Sequence, residues 1–272
     1  MLFRRRKERG KEAFLLENKF RFAKEIIYQA GAFLLDHLYD DLDVKQKSSP
    51  TDLVTEMDQK IQNDLVKKIL ARYPEDAILA EENGLRHSIA DGSVWVIDPI
   101  DGTTNFITQK ADFAIMLAYF ENGIGQFGLI YDVTRDQLYH GGGLFDVYCN
   151  DRKLPFFENK PFSDYLMASN AGMLKHNHWG LADFSRECLG VRVYGSAGIS
   201  FAKVLSGGLV AYFSYNWPWD YAAAYVMAAK LGFVIQTLDG KEPDFQRQEP
   251  IMMAPQSKLK DLQKYLEKGK EQ

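Results

Sequence analysis

The stretch Trp95–Phe106, WVIDPIDGTTNF, constrains this chain more than any other. Trp95, Val96, Ile97 and Ile100 are apolar, and they carry two aspartates, Asp98 and Asp101. A buried strand ending in Asp-Pro delivers Asp98 to the carboxyl end of a sheet. Pro99 is expected to end the ladder there, since it has no N–H to give and restricts the residue before it. Asp101 follows one short turn later, free to face the same point as Asp98. Gly102-Thr103-Thr104-Asn105 then reads as a tight turn and a helix start, where unpaired backbone N–H groups attract an anion. Two carboxylates beside such a start suit a hard divalent cation such as Mg²⁺, which takes oxygen ligands and bridges carboxylates to a phosphate. An Asx-turn with a capping threonine is the plainer use of the same residues. The stretch alone leaves both open.

Composition narrows what surrounds it. The chain has 272 residues, 33 Lys and Arg against 37 Asp and Glu, for a net charge of −4. No global basic field points to nucleic acid. Cys149 and Cys188 lack metal-ligand spacing, and reduced thiols in the cytoplasm are the expectation. Residues 1–12, MLFRRRKERGKE, form a basic leader with no apolar core after it, expected to be flexible and solvated. Contact with RNA or anionic lipid is the other use of such a tip. No apolar run reaches membrane length.

Two subdomains are expected, an α+β unit over 13–155 and an α/β unit over 156–272. In the first, Phe20, Ala23, Ile27, Ala30, Leu34 and Leu38 recur at helical spacing over about residues 13–38. Thr55 opens a second helix, with Asp58 as a capping-box partner and Met57, Ile61, Leu65 and Ile69 along one face. AILA then delivers Glu81 and Glu82 to a strand end. FAIMLAYF and QFGLIYDV flank an Asn122-Gly123 hairpin turn, and two more antiparallel strands follow. The second unit holds a strand near Leu166, a helix opened by Gly195-Ser196-Ala197, and an Ala-rich helix that Asp220 begins. As a plain cap, Asp220 would contribute about 1 kcal/mol. His37, His87, His140, His176 and His178 fit no zinc or triad spacing and read as surface or packing residues.

KSSPTDLVTEMD at 47–58, AEEN at 80–83, WVIDPIDGTTNF, YGSA at 194–197 and PWDYAA at 218–223 stand in one order. Together they resemble the inositol monophosphatase family of Mg²⁺-dependent, lithium-sensitive phosphatases, over most of the chain. The resemblance implies an α+β fold, a layered α/β/α/β/α sandwich of the sugar-phosphatase type, and a homodimer. It implies two or three Mg²⁺ per site, held by the carboxylates of Glu81, Asp98, Asp101 and Asp220 and the carbonyl of Ile100. Gly102 and Thr103 would cradle the phosphate, with Glu81, Thr103 and Asp98 as the catalytic set and Thr103 and Glu81 orienting the attacking water. Asp58 and Lys47 would belong to a more mobile outer segment. Gly195, Ser196, Ala197, Ser214 and Asp220 would face the substrate.

The implied chemistry is hydrolysis of a small phosphorylated metabolite. Inositol-1-phosphate, fructose-1,6-bisphosphate and a nucleotide 2′- or 3′-phosphate such as NADP all remain open. Paired cations about 3.5–4 Å apart can clamp attacking and leaving oxygens, which calls for several carboxylates and no Ser–His pair. Two departures bear on the substrate. Many members have a glutamate where this chain has Ser214, and a Gly-Gly where it has Leu231-Gly232-Phe233. Serine leaves room for a bulkier or more anionic alcohol half. A regulatory or RNA-associated binding protein that keeps the fold without turnover is the alternative.

Overall fold

The computed structural model describes residues 2–40, 44–46 and 53–268, with side chains over 13–40 and 55–267. The side chains of the basic leader, and Lys47, lie outside the described residues. Helix α1 spans Leu2–Asp36, and a two-stranded antiparallel ribbon follows, β1 (Val44–Gln46) with β2 (Leu53–Thr55). Helix α2, Glu56–Arg72, begins at Thr55, whose hydroxyl accepts from Met57 N at 3.1 Å while Asp58 accepts from Thr55 N at 2.7 Å. That is the capping box expected from the sequence. Met57, Ile61, Leu65 and Ile69 are buried on one face of α2.

Next come β3 (Ala77–Ala80), β4 (Ser93–Asp101), the short helix α3 (Thr103–Thr108), β5 (Ala114–Glu121), β6 (Ile124–Asp132), β7 (Gln137–Gly142), β8 (Phe145–Cys149) and β9 (Arg152–Lys153). The seven strands form one sheet in sequence order, in which β3 and β4 are parallel and every other pair is antiparallel. The remaining elements are β10 (Leu166–Ser169), α4 (Ala171–Lys175), α5 (Leu181–Ser185), β11 (Gly190–Arg192), α6 (Ala197–Leu205), β12 (Tyr212–Asn216), α7 (Pro218–Ala228), β13 (Phe233–Thr237), β14 (Glu249–Pro255) and α8 (Leu259–Lys268). Their five strands make a mixed sheet ordered β11-β10-β12-β14-β13.

Layering follows from which faces are apolar. Ile26, Ile27, Leu65 and Ile69 of α1 and α2 close over Trp95, Ile97 and Phe127 on one face of the large sheet. The opposite face, with Val94, Val96 and Met116, packs on α6 and α7, which also cover Tyr212, Ile235 and Met253 of the small sheet. Phe184 of α5 and Leu262 of α8 close the far side over Phe213 and Met252. The order is the α/β/α/β/α sandwich. Gly128 on β6 lets α7 lie directly on the sheet, since a Cβ there would strike the Ala223 backbone. The site acids stand where α6 and α7 meet the end of β4.

Candidate active site

Strand β4 does the first part of the placing. Asp98 pairs with Met116 and Asp101 with Ala114, so Pro99 and Ile100 oppose Ile115 alone. Pro99 therefore does not end the ladder. It sits in a bulge, where its missing N–H is not called on, and pairing resumes at Asp101. The extra residue also resets the alternation. Residues three apart on a regular strand face opposite sides, whereas this bulge returns Asp101 to the face that already carries Val94, Val96 and Asp98. Ile100 points the other way, into the core under α1 and α2. On the parallel neighbour, Ala80 pairs with Ile97 and Glu81 N donates to Ile97 O at 3.3 Å, which sets Glu81 beside Asp98.

Helix N-termini do the second part. Asp101 accepts from Ala197 N at 2.9 Å, Gly198 N at 2.8 Å and the Ser196 hydroxyl. Burial pushes its carboxyl pKa up, and the three donors, led by Ser196, pull it down. A carboxylate offers about four lone-pair sites, so three donors leave room for one more bond, to a cation among other partners. Asp220, in the first turn of α7, accepts from Trp217 N at 2.8 Å and lines the same cavity as Asp101. The acids thus assemble as two neighbouring sets, Glu81 with Asp98 and Asp101 with Asp220. Among the described residues no three acids, histidines or cysteines are already drawn in around one ion's position. The donor set is all oxygen, which suits Mg²⁺ over a softer metal.

Thr103 and Gly102 complete the turn after β4. Gly102 is left-handed at φ 84°, and a Cβ there would lie 2.9 Å from Ser196 Cβ and 3.2 Å from Asp112 O. Only glycine holds this turn against the Gly195–Ser196 loop. The Thr103 hydroxyl lies 3.0 Å from Ile100 O and 3.1 Å from Asp58 Oδ1, so its one proton is shared between two acceptors. Its described partners are Asp58 and the Ile100 carbonyl. Asp58 itself is 0% exposed and held in the capping box.

A cavity of about 290 Å³ opens beside these acids. Gly195 and Ala197 line it, and so does Ser214, while Ser196 between them turns its hydroxyl onto Asp101. The rest of the wall is Ser169, Asn170, Ser200, Tyr212, Asn216 and their neighbours, with no Lys, Arg or His among the described lining residues. Burial raises the Tyr212 pKa, hydrogen bonds with Ser214 and Ser200 lower it, and the charges of Asp101 and Asp220 raise it further. The net direction is up, so its hydroxyl stays protonated against the two acids.

The inositol monophosphatase family model matches residues 15–271. The chain belongs to the inositol monophosphatase family. It is 36% identical over 236 residues to the inositol-1-monophosphatase of Bacillus subtilis (strain 168), covering 85% of this chain and 89% of that one. Its fold is similar to that of an IMPase/NADP phosphatase complexed with Mg²⁺ and phosphate, with TM-score 0.85, 26% identity, and coverage of 92% and 95%. A 2′AMP-bound SaIMPase-II gives TM-score 0.83 at the same identity and coverage. The chain is accordingly a phosphoric monoester hydrolase of the inositol monophosphatase type.

Several residues of this inositol monophosphatase-family site were not singled out from the sequence. Asn105, buried, donates to Asp112 O at 2.8 Å and Tyr194 O at 2.7 Å, tying the turn after β4 to the Gly195 loop. Its place inside DGTTN was a usable signal, although its partner 89 residues away was not. Ser169 and Asn170 stand at the carboxyl end of β10, where α/β sheets present ligand groups, and that rule could have found them. Arg86 lies 4.5 Å from the Trp219 ring and donates to Ala80 O. Burial pulls its pKa down, and Glu81 and Glu82 push it up. Trp219 in turn stacks on Trp217, 38% exposed, at 5.2 Å and 4° between planes.

Proposed function

We propose that this protein is a Mg²⁺-dependent phosphomonoesterase whose substrate carries its phosphate on an uncharged, hydroxylated ring. Inositol-1-phosphate and a nucleoside 2′-phosphate are the representatives. The observation that carries the reading is the wall of the 290 Å³ cavity, hydroxyls and amides with no described cation, set against Asp101 and Asp220. A second phosphate in that cavity would face two carboxylates with no positive partner among the described residues. This favours a polyol or a ribose over fructose-1,6-bisphosphate. Exposed Tyr215 at the cavity edge offers an aromatic face to a base directed outward.

Glu81, Asp98, Asp101, Asp220 and the Ile100 carbonyl would hold the cations, which supply charge neutralisation on the phosphoryl oxygens and a more acidic water. The protein's own part is positional. Thr103 shares its proton between Ile100 O and Asp58, which leaves its lone pairs to accept from the attacking water and fix its direction. The backbone N–H groups of Gly102 and Thr103 would serve the phosphate, at a turn where Gly102 is left-handed at φ 84°. Both cysteines are free, consistent with a reducing cytoplasm, and a homodimer completes the reading. Phosphate release from inositol-1-phosphate, 2′-AMP, NADP and fructose-1,6-bisphosphate, with Mg²⁺ and with chelator, tests it. The two hydroxylated-ring classes should show the higher kcat/KM, and only with Mg²⁺. Preference for the bisphosphate, or release in chelator, would overturn the proposal.

A further inference from the structure

Strand β12 exposes a ladder of polar side chains to the cavity. Tyr212, Ser214 and Asn216 alternate along it and line the wall, while Phe213 between them enters the core on the other face. Three wall serines have backbone partners. Ser169 donates to Asn170 O at 3.2 Å, Ser200 to Ser196 O at 2.7 Å, and Ser214 to Tyr215 O at 3.4 Å. Asn216 differs. It is 1% exposed, and its side-chain Oδ1, cut off from bulk water, accepts no hydrogen bond. Buried amide carbonyls are paired in nearly all proteins, and one left unpaired costs free energy unless something else supplies the donor.

We propose that Asn216 determines specificity, its Oδ1 accepting a hydrogen bond from a ring hydroxyl of the substrate's alcohol half. This rests on the reading of the cavity as the pocket for that half. The choice of residue type agrees. Asp101 and Asp220 already place two carboxylates on the cavity, and a third would raise the cost of all of them. An amide accepts from a hydroxyl without adding charge. A site built to receive a hydroxyl also rejects an analogue that lacks one, because the acceptor then stays unpaired.

The test is Asn216→Leu, which keeps the volume and removes the acceptor. Phosphate release is measured with inositol-1-phosphate, 2′-AMP and phenyl phosphate, the last having no hydroxyl on its alcohol half. The kcat/KM ratio of each hydroxylated substrate to phenyl phosphate should fall about ten- to a hundredfold from its wild-type value. The melting temperature should hold or rise, since an unpaired acceptor has been deleted. An unchanged ratio, or equal losses on all three substrates, overturns the assignment. Asn216→Ser, shorter and still polar, is read by the same ratio if the leucine variant does not fold, and an unchanged ratio there overturns it too. Wild-type enzyme that releases phosphate from none of the three would instead overturn the phosphatase reading itself.

Discussion

The pairing of Thr103 with Asp58 makes a sharp kinetic prediction. Thr103 is the first residue of α3, whose N-cap is Gly102 and carries no side-chain bond. The Thr103 hydroxyl therefore caps nothing and contacts Asp58 Oδ1 and Ile100 O instead. Thr103→Ala removes a hydroxyl that donates to the Asp58 carboxylate, worth about 1.5–3 kcal/mol, or about 3–12 °C in melting temperature for a chain of this size. Its effect on rate should be larger, about 10²–10⁴-fold in kcat, on the proposal that the hydroxyl aims the attacking water. Asp58→Asn should cost more stability than Thr103→Ala, since it weakens the buried capping box as well. If Asp58 acts on the reaction through Thr103, the two losses of rate are one loss counted twice. Two independent losses of about 10²-fold would multiply to about 10⁴-fold, whereas the double variant should stay near the slower single variant. Phosphate release at saturating Mg²⁺, beside thermal melts of all four proteins, decides it. A destabilised but fully active Thr103→Ala protein refutes the catalytic role, and a double variant at the product of the singles refutes the coupling.

Two further substitutions probe the frame around the site. Gly102→Ala forces a side chain into the left-handed region and onto Ser196, the residue that holds Asp101. It should cost about 1–3 kcal/mol of stability and about 10²-fold in kcat, and a variant with wild-type melting and kinetics would contradict this account of the turn. Lys19 of α1 meets Asp76 at 2.6 Å and Tyr119 Oη at 2.6 Å, while Trp95 Nε1 donates to the same Asp76 oxygen at 2.8 Å. Lys19→Met removes the cation from a buried pair, which typically costs about 3–5 kcal/mol. Kinetics at 25 °C should barely change, and a melting temperature within about 2 °C of wild type would show that the pair contributes little.

What could be read from the sequence divides by distance along the chain. The capping box at Thr55 and Asp58 spans four residues, and the hairpin turn at Asn122-Gly123 two, so local chemistry announces both. The layered fold came with the resemblance, and the buried faces of α1, α2 and α7 agree with their apolar spacing. The bulge was the main thing misread. Pro99 looks like the end of a strand because proline cannot donate, yet a bulge is another place where that donor is not needed. The short helices α4 and α5, five residues each, leave no periodic trace to read. Thr103 finds Asp58 45 residues away, and Arg86 finds Trp219 farther off still. Such partners are decided by how layers stack, and no window of sequence contains them.

The same stacking accounts for how so many acids tolerate a dry place. Asp58 sits in the first turn of α2, Asp101 faces the first N–H groups of α6, and Asp220 lies in the first turn of α7. Each carboxylate therefore meets the positive end of a helix, an interaction worth about 0.3–1 kcal/mol at a surface and up to about 2 kcal/mol when partly buried. These terms fall short of the cost of burying Asp58 and Asp101, which runs to several kcal/mol per ion. The fold can thus hold the acids in place without neutralising them. The shortfall is what makes the site attractive to a cation, because added positive charge relieves every carboxylate at once. A helix terminus also points its N–H groups along fixed directions, so the acids keep their orientation while they share oxygens with a new partner. Replacing Asp101 and Asp220 by amides would quiet the repulsion, and in doing so would remove the reason for a divalent ion to bind.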